Sequence, residues 1–450
     1  MTIDFLDGHS VIKGEADFAN NQVKSAVLLA DLNFKTFDFT EFESLFAPKD
    51  KKKETKTPFV FPDKLNIDIN MMAAELKYKD AVLKNTKLNI IANEKSAKLN
   101  TFQTMLPFGK LDASGLIDDY SSDEPYFAGN LNLELDTVDI NNIMAMQVLG
   151  LPNIEGKSQQ PKEKMISELP GNVNFKLNVN ANQVYYQNIQ ISDLSMLLNY
   201  QPDAVRLRNL SFNIGDGAVK VNGQIDYSKG VKTTGYLYSN AHDLNINKIL
   251  QSFDDFNQDV FTHDNTSGHI AWTSHYYFSL DSTLTPISNE DTWIINAHIQ
   301  EAEFDSVAPI QNTLFFVGHK AKDNMLVSDL NMSALLFQNK LFIRDVFMND
   351  NIANLGFFGE IDMEEKDMNF NIEVSLSDLF FRSKKKRSVQ TTEGEIDLDN
   401  DSKLFLKMVG PFKDSKISIQ KKHDFEKSRE DLDNVIRSAA NYFKQKQELQ

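Results

Sequence analysis

The stretch Asn172-Val-Asn-Phe-Lys-Leu-Asn-Val-Asn180 decides the fold class. Val173, Phe175, Leu177 and Val179 are apolar, and the asparagines and Lys176 between them are polar. Period-two alternation gives a strand one apolar face and one wet face. Leu65, Ile67, Ile69 and Met71 repeat the pattern, as do Leu131, Leu133 and Leu135. Helical periodicity is scarce. One-sided burial belongs to antiparallel sheets, because parallel sheets bury both faces. The sequence therefore predicts a mostly β chain, an elongated and repetitive antiparallel sheet.

Four segments share a glycine followed three residues later by aspartate. They centre on Gly14 and Asp17, Gly115 and Asp118, Gly223 and Asp226, and Gly359 and Asp362. The glycines are separated by 101, 108 and 136 residues, a period that marks a repeat architecture. A strand glycine marks a bulge, a bend or a close backbone approach. The aspartate suits a hairpin turn. Both are expected to be structural.

Each copy continues into a second alternating strand that ends in Asp followed by an apolar residue. The pairs are Asp38-Phe39, Asp139-Ile140, Asp243-Leu244 and Asp378-Leu379. A short apolar helical turn and a polar linker are expected after each. The resulting divisions are a partial first repeat over 1–48, a second over 58–150, a third over 164–253 and a fourth over 268–420. Residues 421–450 follow as an amphipathic helix. Because the first repeat starts only a few residues before its glycine, the chain reads as the C-terminal part of a longer protein. An export signal or membrane anchor would lie in the missing part.

Composition narrows the function classes. The 450 residues carry a formal net charge of −17, with 33 Phe, 2 Trp and no Cys. An acidic balance argues against nucleic acid, whose phosphates need a basic surface. Without cysteine there are no disulfides, thiolate metal sites or cysteine nucleophiles. No segment holds about 18 consecutive apolar residues, as a spanning helix needs. Abundant asparagine suits tight turns between strands.

The last repeat resembles the AsmA family, most closely its C-terminal region. The resemblance rests on Phe304-Asp-Ser-Val-Ala-Pro-Ile-Gln311, Leu341-Phe-Ile-Arg-Asp-Val-Phe-Met348 and Gly359-Glu-Ile-Asp362. It continues through Leu404-Phe-Leu-Lys-Met-Val-Gly410 to Ile417, where Ser415 replaces the usual proline. The similarity is strongest over 295–420 and covers most of 1–420 in pattern. It implies a sheet curved lengthwise into a groove, as in bridge-like lipid transfer proteins. It also implies inner-membrane anchorage, a periplasmic location and movement of phospholipid towards the outer membrane. Inner- and outer-membrane proteins would be partners. The family brings no catalytic motif and no cofactor.

Physical chemistry agrees with that implication. An apolar sheet face needs a second sheet, a helix layer or a ligand to cover it, and helical sequence is sparse here. Exposing a sixteen-carbon acyl tail to water costs on the order of 12 kcal/mol, which a continuous apolar groove avoids. Phe175, Leu177, Val179, Val205, Leu207, Val219 and Val221 are the expected lining. The alternative function is a scaffold for outer-membrane proteins that works by β-augmentation. Closed β-sandwich modules used for adhesion form a third reading.

Other constellations point to no chemistry. His263, His269 and His275 are evenly spaced, but no carboxylate trio accompanies them with ligand-like spacing. No G-x-S-x-G, Walker loop or dinucleotide fingerprint is present. The basic runs Lys51–Lys53 and Lys384–Arg387 fall in linkers. In the tail, Leu432, Val435, Ile436, Ala439 and Phe443 share one helical stripe, expected to cap the last strand edge or dock on a partner.

Overall fold

A computed structural model describes residues 2–5, 8–19, 22–39, 64–78, 81–141 (except 121 and 123), 172–227, 233–307 (except 282–284, 286 and 288–290), 324–350, 354–375, 403–411 and 414–448. Strands dominate. The chain divides into two compact units, Met1–Leu210 and Ser211–Gln450.

The first unit holds β1 (Thr2–Phe5), β2 (Gly8–Ala19), β3 (Gln22–Asp38), β4 (Lys64–Tyr78) and β5 (Ala81–Asn93). It continues with β6 (Ser96–Leu106), β7 (Gly109–Asp118), β8 (Tyr126–Asp139), β9 (Val173–Tyr186) and β10 (Ile189–Gln201). Each of these strands hydrogen-bonds the next in chain order. The expected antiparallel rule breaks twice, since β3 pairs with β4, and β8 with β9, in parallel. Long connections permit both exceptions. A parallel pair needs a crossover of a dozen residues or more, and within the first unit the linkers after Asp38 and after Asp139 are long enough to supply one.

Strand β11 (Ala204–Ile214) spans the division. The second unit then holds β12 (Gly217–Asp226), β13 (Thr233–Asn245), β14 (Thr266–Leu280), β15 (Thr292–Asp305) and β16 (Asn324–Phe337). After these come β17 (Lys340–Asp350), β18 (Asn354–Asp362), β19 (Asp367–Ser375), β20 (Lys403–Pro411) and β21 (Lys416–Ile419). Strands β12 to β21 are all antiparallel to their neighbours.

The repeat takes a definite structural form. Gly14, Gly115, Gly223 and Gly359 lie in β2, β7, β12 and β18, each followed directly by a hairpin partner. Asp118, Asp226 and Asp362 end their strands. Asp362 closes its turn by accepting the backbone N–H groups of Glu364 and Glu365 at 3.0 Å each. Those two donors hold its carboxyl below the ordinary carboxylate range. Asp17 sits inside β2 and instead accepts the Ser25 hydroxyl across the pair at 2.7 Å.

Of the expected helical turns, one lies fully within the described residues. Helix α1 (Ile246–Ser252) is capped by Asn245, which accepts the Lys248 N–H, and buries Leu250. Phe42, Phe46, Ile143, Met144, Leu379 and Phe380 lie outside the described residues, as do both lysine runs.

Helix α2 (Lys422–Glu448) does not cap an edge; it lies over a sheet face. Phe425, Leu432 and Ala439, seven residues apart, pack with Leu335, Phe342 and Phe358 from β16, β17 and β18. The Phe425 ring meets Phe358 at 5.0 Å and Phe405 at 4.8 Å, and the Arg429 guanidinium sits 5.0 Å from the Phe358 ring. The side chain of Phe443 lies outside the described residues.

The four repeat glycines face unequal surroundings. A Cβ on Gly359 would lie 2.3 Å from the Asn369 carbonyl oxygen and 2.5 Å from the Phe370 ring. A Cβ on Gly14 would meet nothing closer than 3.8 Å. Gly359→Ala is therefore expected to cost about 1–3 kcal/mol through overpacking. Gly14→Ala should stay within about 0.5 kcal/mol of the parent. Urea titration of both variants checks this contrast.

Candidate functional site: an apolar sheet face

Register converts the alternating strands of the first unit into one surface. Leu177 stands opposite Leu131 on one side and Leu198 on the other. Leu131 pairs with Ala113, Ala113 with Phe102, and Phe102 with Leu88. Leu88 then pairs with Met71, and Met71 with Leu32. A neighbouring row runs from Ile12 through Ala30, Ile69, Ile90 and Leu99 to Gly115, Gly129 and Phe175. At about 4.8 Å per strand, the row from Leu32 to Leu198 spans roughly 35 Å before twist.

Most of this surface is only half-buried. Leu32, Ile69, Leu88, Ile90, Leu99, Leu131, Leu133, Leu177 and Leu198 are all partly accessible. Buried clusters gather towards one end of the strands, around Phe34, Ala73 and Leu76, which Met71 of the central row joins, and separately around Val138, Ala181 and Val184. Two hydroxyls share this face without breaking it. Thr86 and Thr104 are buried and hydrogen-bond each other at 2.9 Å, and Thr104 donates on to the Lys84 carbonyl at 3.2 Å. Buried polar groups satisfied in this way cost little.

The opposite face is a lattice of amides and carboxylates. Asn180 donates to Glu134 at 3.0 Å, Asn182 to Asp136 at 2.9 Å, and Asn89 to Asn70 at 2.7 Å. Asparagine thus serves the wet face of strands more than the turns expected for it. Asn93 does hold a turn, accepting the Lys95 and Ser96 N–H groups.

The expected lining residues do not all belong together. Phe175, Leu177 and Val179 share the apolar face of β9, with Val179 buried at 8% exposure. Val205 and Leu207 alternate on β11. Val219 and Val221 lie in the second unit, on β12, where Val219 is buried and pairs with Ala241. Period-two reading did not select Leu88, Ile90, Leu99 or Phe102. In Leu88-Asn-Ile-Ile-Ala92, two adjacent isoleucines point to opposite faces, and Ile91 is 41% exposed. Only cross-strand register assigns them.

The second unit treats its apolar face differently. Ala302, Met325, Val327, Leu330, Val346, Leu355, Met368, Ile372, Val374 and Leu406 belong to one buried cluster. Met325, Val346, Val374 and Leu406 are completely inaccessible.

His263 pairs with Asp255 at 2.9 Å, His298 with Asp329, and the His275 ring lies tilted against Tyr238 at 4.9 Å, so these three histidines have separate partners. Among the described residues, no group of three or more His, Cys, Asp or Glu is placed to hold a metal ion. Tyr276 donates to Asp291 at 2.8 Å; burial, aided by that carboxylate, pushes its phenol up to about 12. Among the described residues, no helix is long and apolar enough to cross a membrane.

Comparison with family models, with curated proteins and with solved structures finds no match. The reading of this surface therefore rests on its own geometry.

The two faces should respond differently to charge. Leu177→Asp adds a carboxylate to a half-exposed surface, so the variant should fold with a melting temperature within a few degrees of the parent. Ile372→Asp buries an unpaired carboxyl and should cost several kcal/mol, leaving the second unit unfolded or molten. Circular dichroism melts of the two variants make the comparison.

Proposed function

We propose that this chain is a non-enzymatic, AsmA-like envelope protein whose apolar sheet face binds and conducts phospholipid. One observation carries the reading: the half-buried aliphatic surface that runs from Ile12 and Leu32 across to Phe175 and Leu198 in a single register. The chemistry of that surface favours acyl chains over a protein partner. Protein interfaces are enriched in Tyr, Trp and Arg and carry about one hydrogen bond per 100–200 Å². The two central rows are built from Ile, Leu, Met, Ala, Gly and Phe, with no charged side chain. A methylene chain asks for no hydrogen bonds and gains about 0.8 kcal/mol per buried CH₂.

In this reading the protein works in the periplasm of a Gram-negative bacterium. It would be held at the inner membrane, and its lipid cargo would move towards the outer membrane. The wet face, laced by Asn, Asp and Glu, keeps the sheet soluble. The scaffold alternative is less well supported. Strand β21 is only four residues long, and it already occupies Leu406 to Val409 of β20. Short edge strands are a device against strand addition.

A photo-crosslinking residue at Leu177, and separately at Lys176, tests the proposal in cells fed labelled phospholipid, with an exported full-length protein. Capture at 177 and not at 176 is the expected result. Equal capture, or none at either position, would end the lipid reading for this surface.

A further inference from the structure

We infer that acyl chains are held by the first unit alone, and that the second unit from β14 onward is a filled terminus that takes up no lipid. The inference rests on the lipid reading above and assigns where the lipid sits.

Two independent observations carry it. The first is occupancy. Along the second unit, one register row runs from Ile295 through Ala334, Ile343 and Gly359 to Phe370 and Met408. Ala334, Ile343, Phe370 and Met408 in that row are 6–8% exposed. Neighbouring Val346 and Val374 are at 0%. Protein interiors pack at the density of organic crystals, so a face at this level of burial offers no room for an acyl chain without displacing its own side chains. In the first unit, Leu131, Leu177 and Leu198 keep part of their surface free.

The second observation is polarity. The same row of the second unit begins at Val221 and passes through Ser239 and Ser274 before reaching Ile295. The two serine hydroxyls share a hydrogen bond of 2.7 Å, and the Trp272 indole N–H donates to Ser239 at 2.9 Å. Ser274 is 4% exposed. This belt of mutually satisfied polar groups crosses the apolar face beside the filled core. A methylene chain laid over it would gain nothing from the hydroxyls and would meet the indole instead. The Thr86–Thr104 pair of the first unit lies in the buried row beside Phe34 and Ala73, so it leaves the central rows unbroken.

Metabolic replacement of leucine by photo-leucine tests the assignment without altering the fold. The full chain, loaded from dioleoyl phosphatidylcholine vesicles, is irradiated and its crosslinked peptides are mapped by mass spectrometry. Lipid adducts are expected at Leu131, Leu177 and Leu198. At Leu330, Leu355 and Leu406 the carbene should insert into neighbouring side chains, with lipid adducts at least tenfold rarer. Lipid adducts at those three positions comparable with the first unit's would overturn the inference while leaving the lipid reading intact. Lipid adducts nowhere in the chain would overturn both.

Discussion

An apolar sheet face cannot rest against water at no cost, and the rest of this structure follows from how each unit meets that constraint. A strand with period-two alternation always makes such a face. Burial stabilises by about 25 cal/mol per Å² of apolar surface removed from water, so an uncovered face is a standing drive to acquire a cover. The second unit fills one face from within and covers part of the other. One is filled by the cluster around Val346, Val374 and Leu406, and the other is roofed by α2 through Phe425, Leu432 and Ala439. The first unit leaves most residues of the central rows of its apolar face half-exposed, Ala30 and Met71 being the buried exceptions. A protein that only needed stability would have closed it as the second unit did.

Fold class and repeat were legible in the sequence because they depend on local patterns. Alternation at Val173–Val179 and at Leu65–Met71 named strands correctly, and the four Gly–Asp copies fell at equivalent places, each in the strand before a hairpin partner. The two parallel junctions were not legible. Alternation looks the same whichever way a neighbour runs, and a long linker permits either direction: the connections after Asn245, Asp305 and Ser375 are long too, yet the strands they join are antiparallel. Position along the sheet was equally hidden. Val219 and Leu177 look alike as alternating residues, yet one is buried beside Ala241 and the other half-exposed between two leucines.

The Asp-apolar ending of the third repeat has a physical explanation that alternation did not supply. Asp243 adopts a left-handed backbone with φ of 58°, and the β13–β14 register shifts between Ala241 and Leu244. Aspartate tolerates that region better than most residues. The shift is a β-bulge, which inserts one residue and bends the strand. It lets Ala241 and Leu244, three residues apart, both be buried. The third repeat therefore tucks its final apolar residue, Leu244, inwards by stepping out of period two.

The most direct test of the central claim is native mass spectrometry of the purified chain beside a variant carrying both Leu131→Asp and Leu177→Asp. The account predicts phospholipid bound to the parent. The variant should lose it, with circular dichroism unchanged. A parent free of lipid after exposure to phospholipid vesicles, or a folded variant that binds as much as the parent, would contradict it.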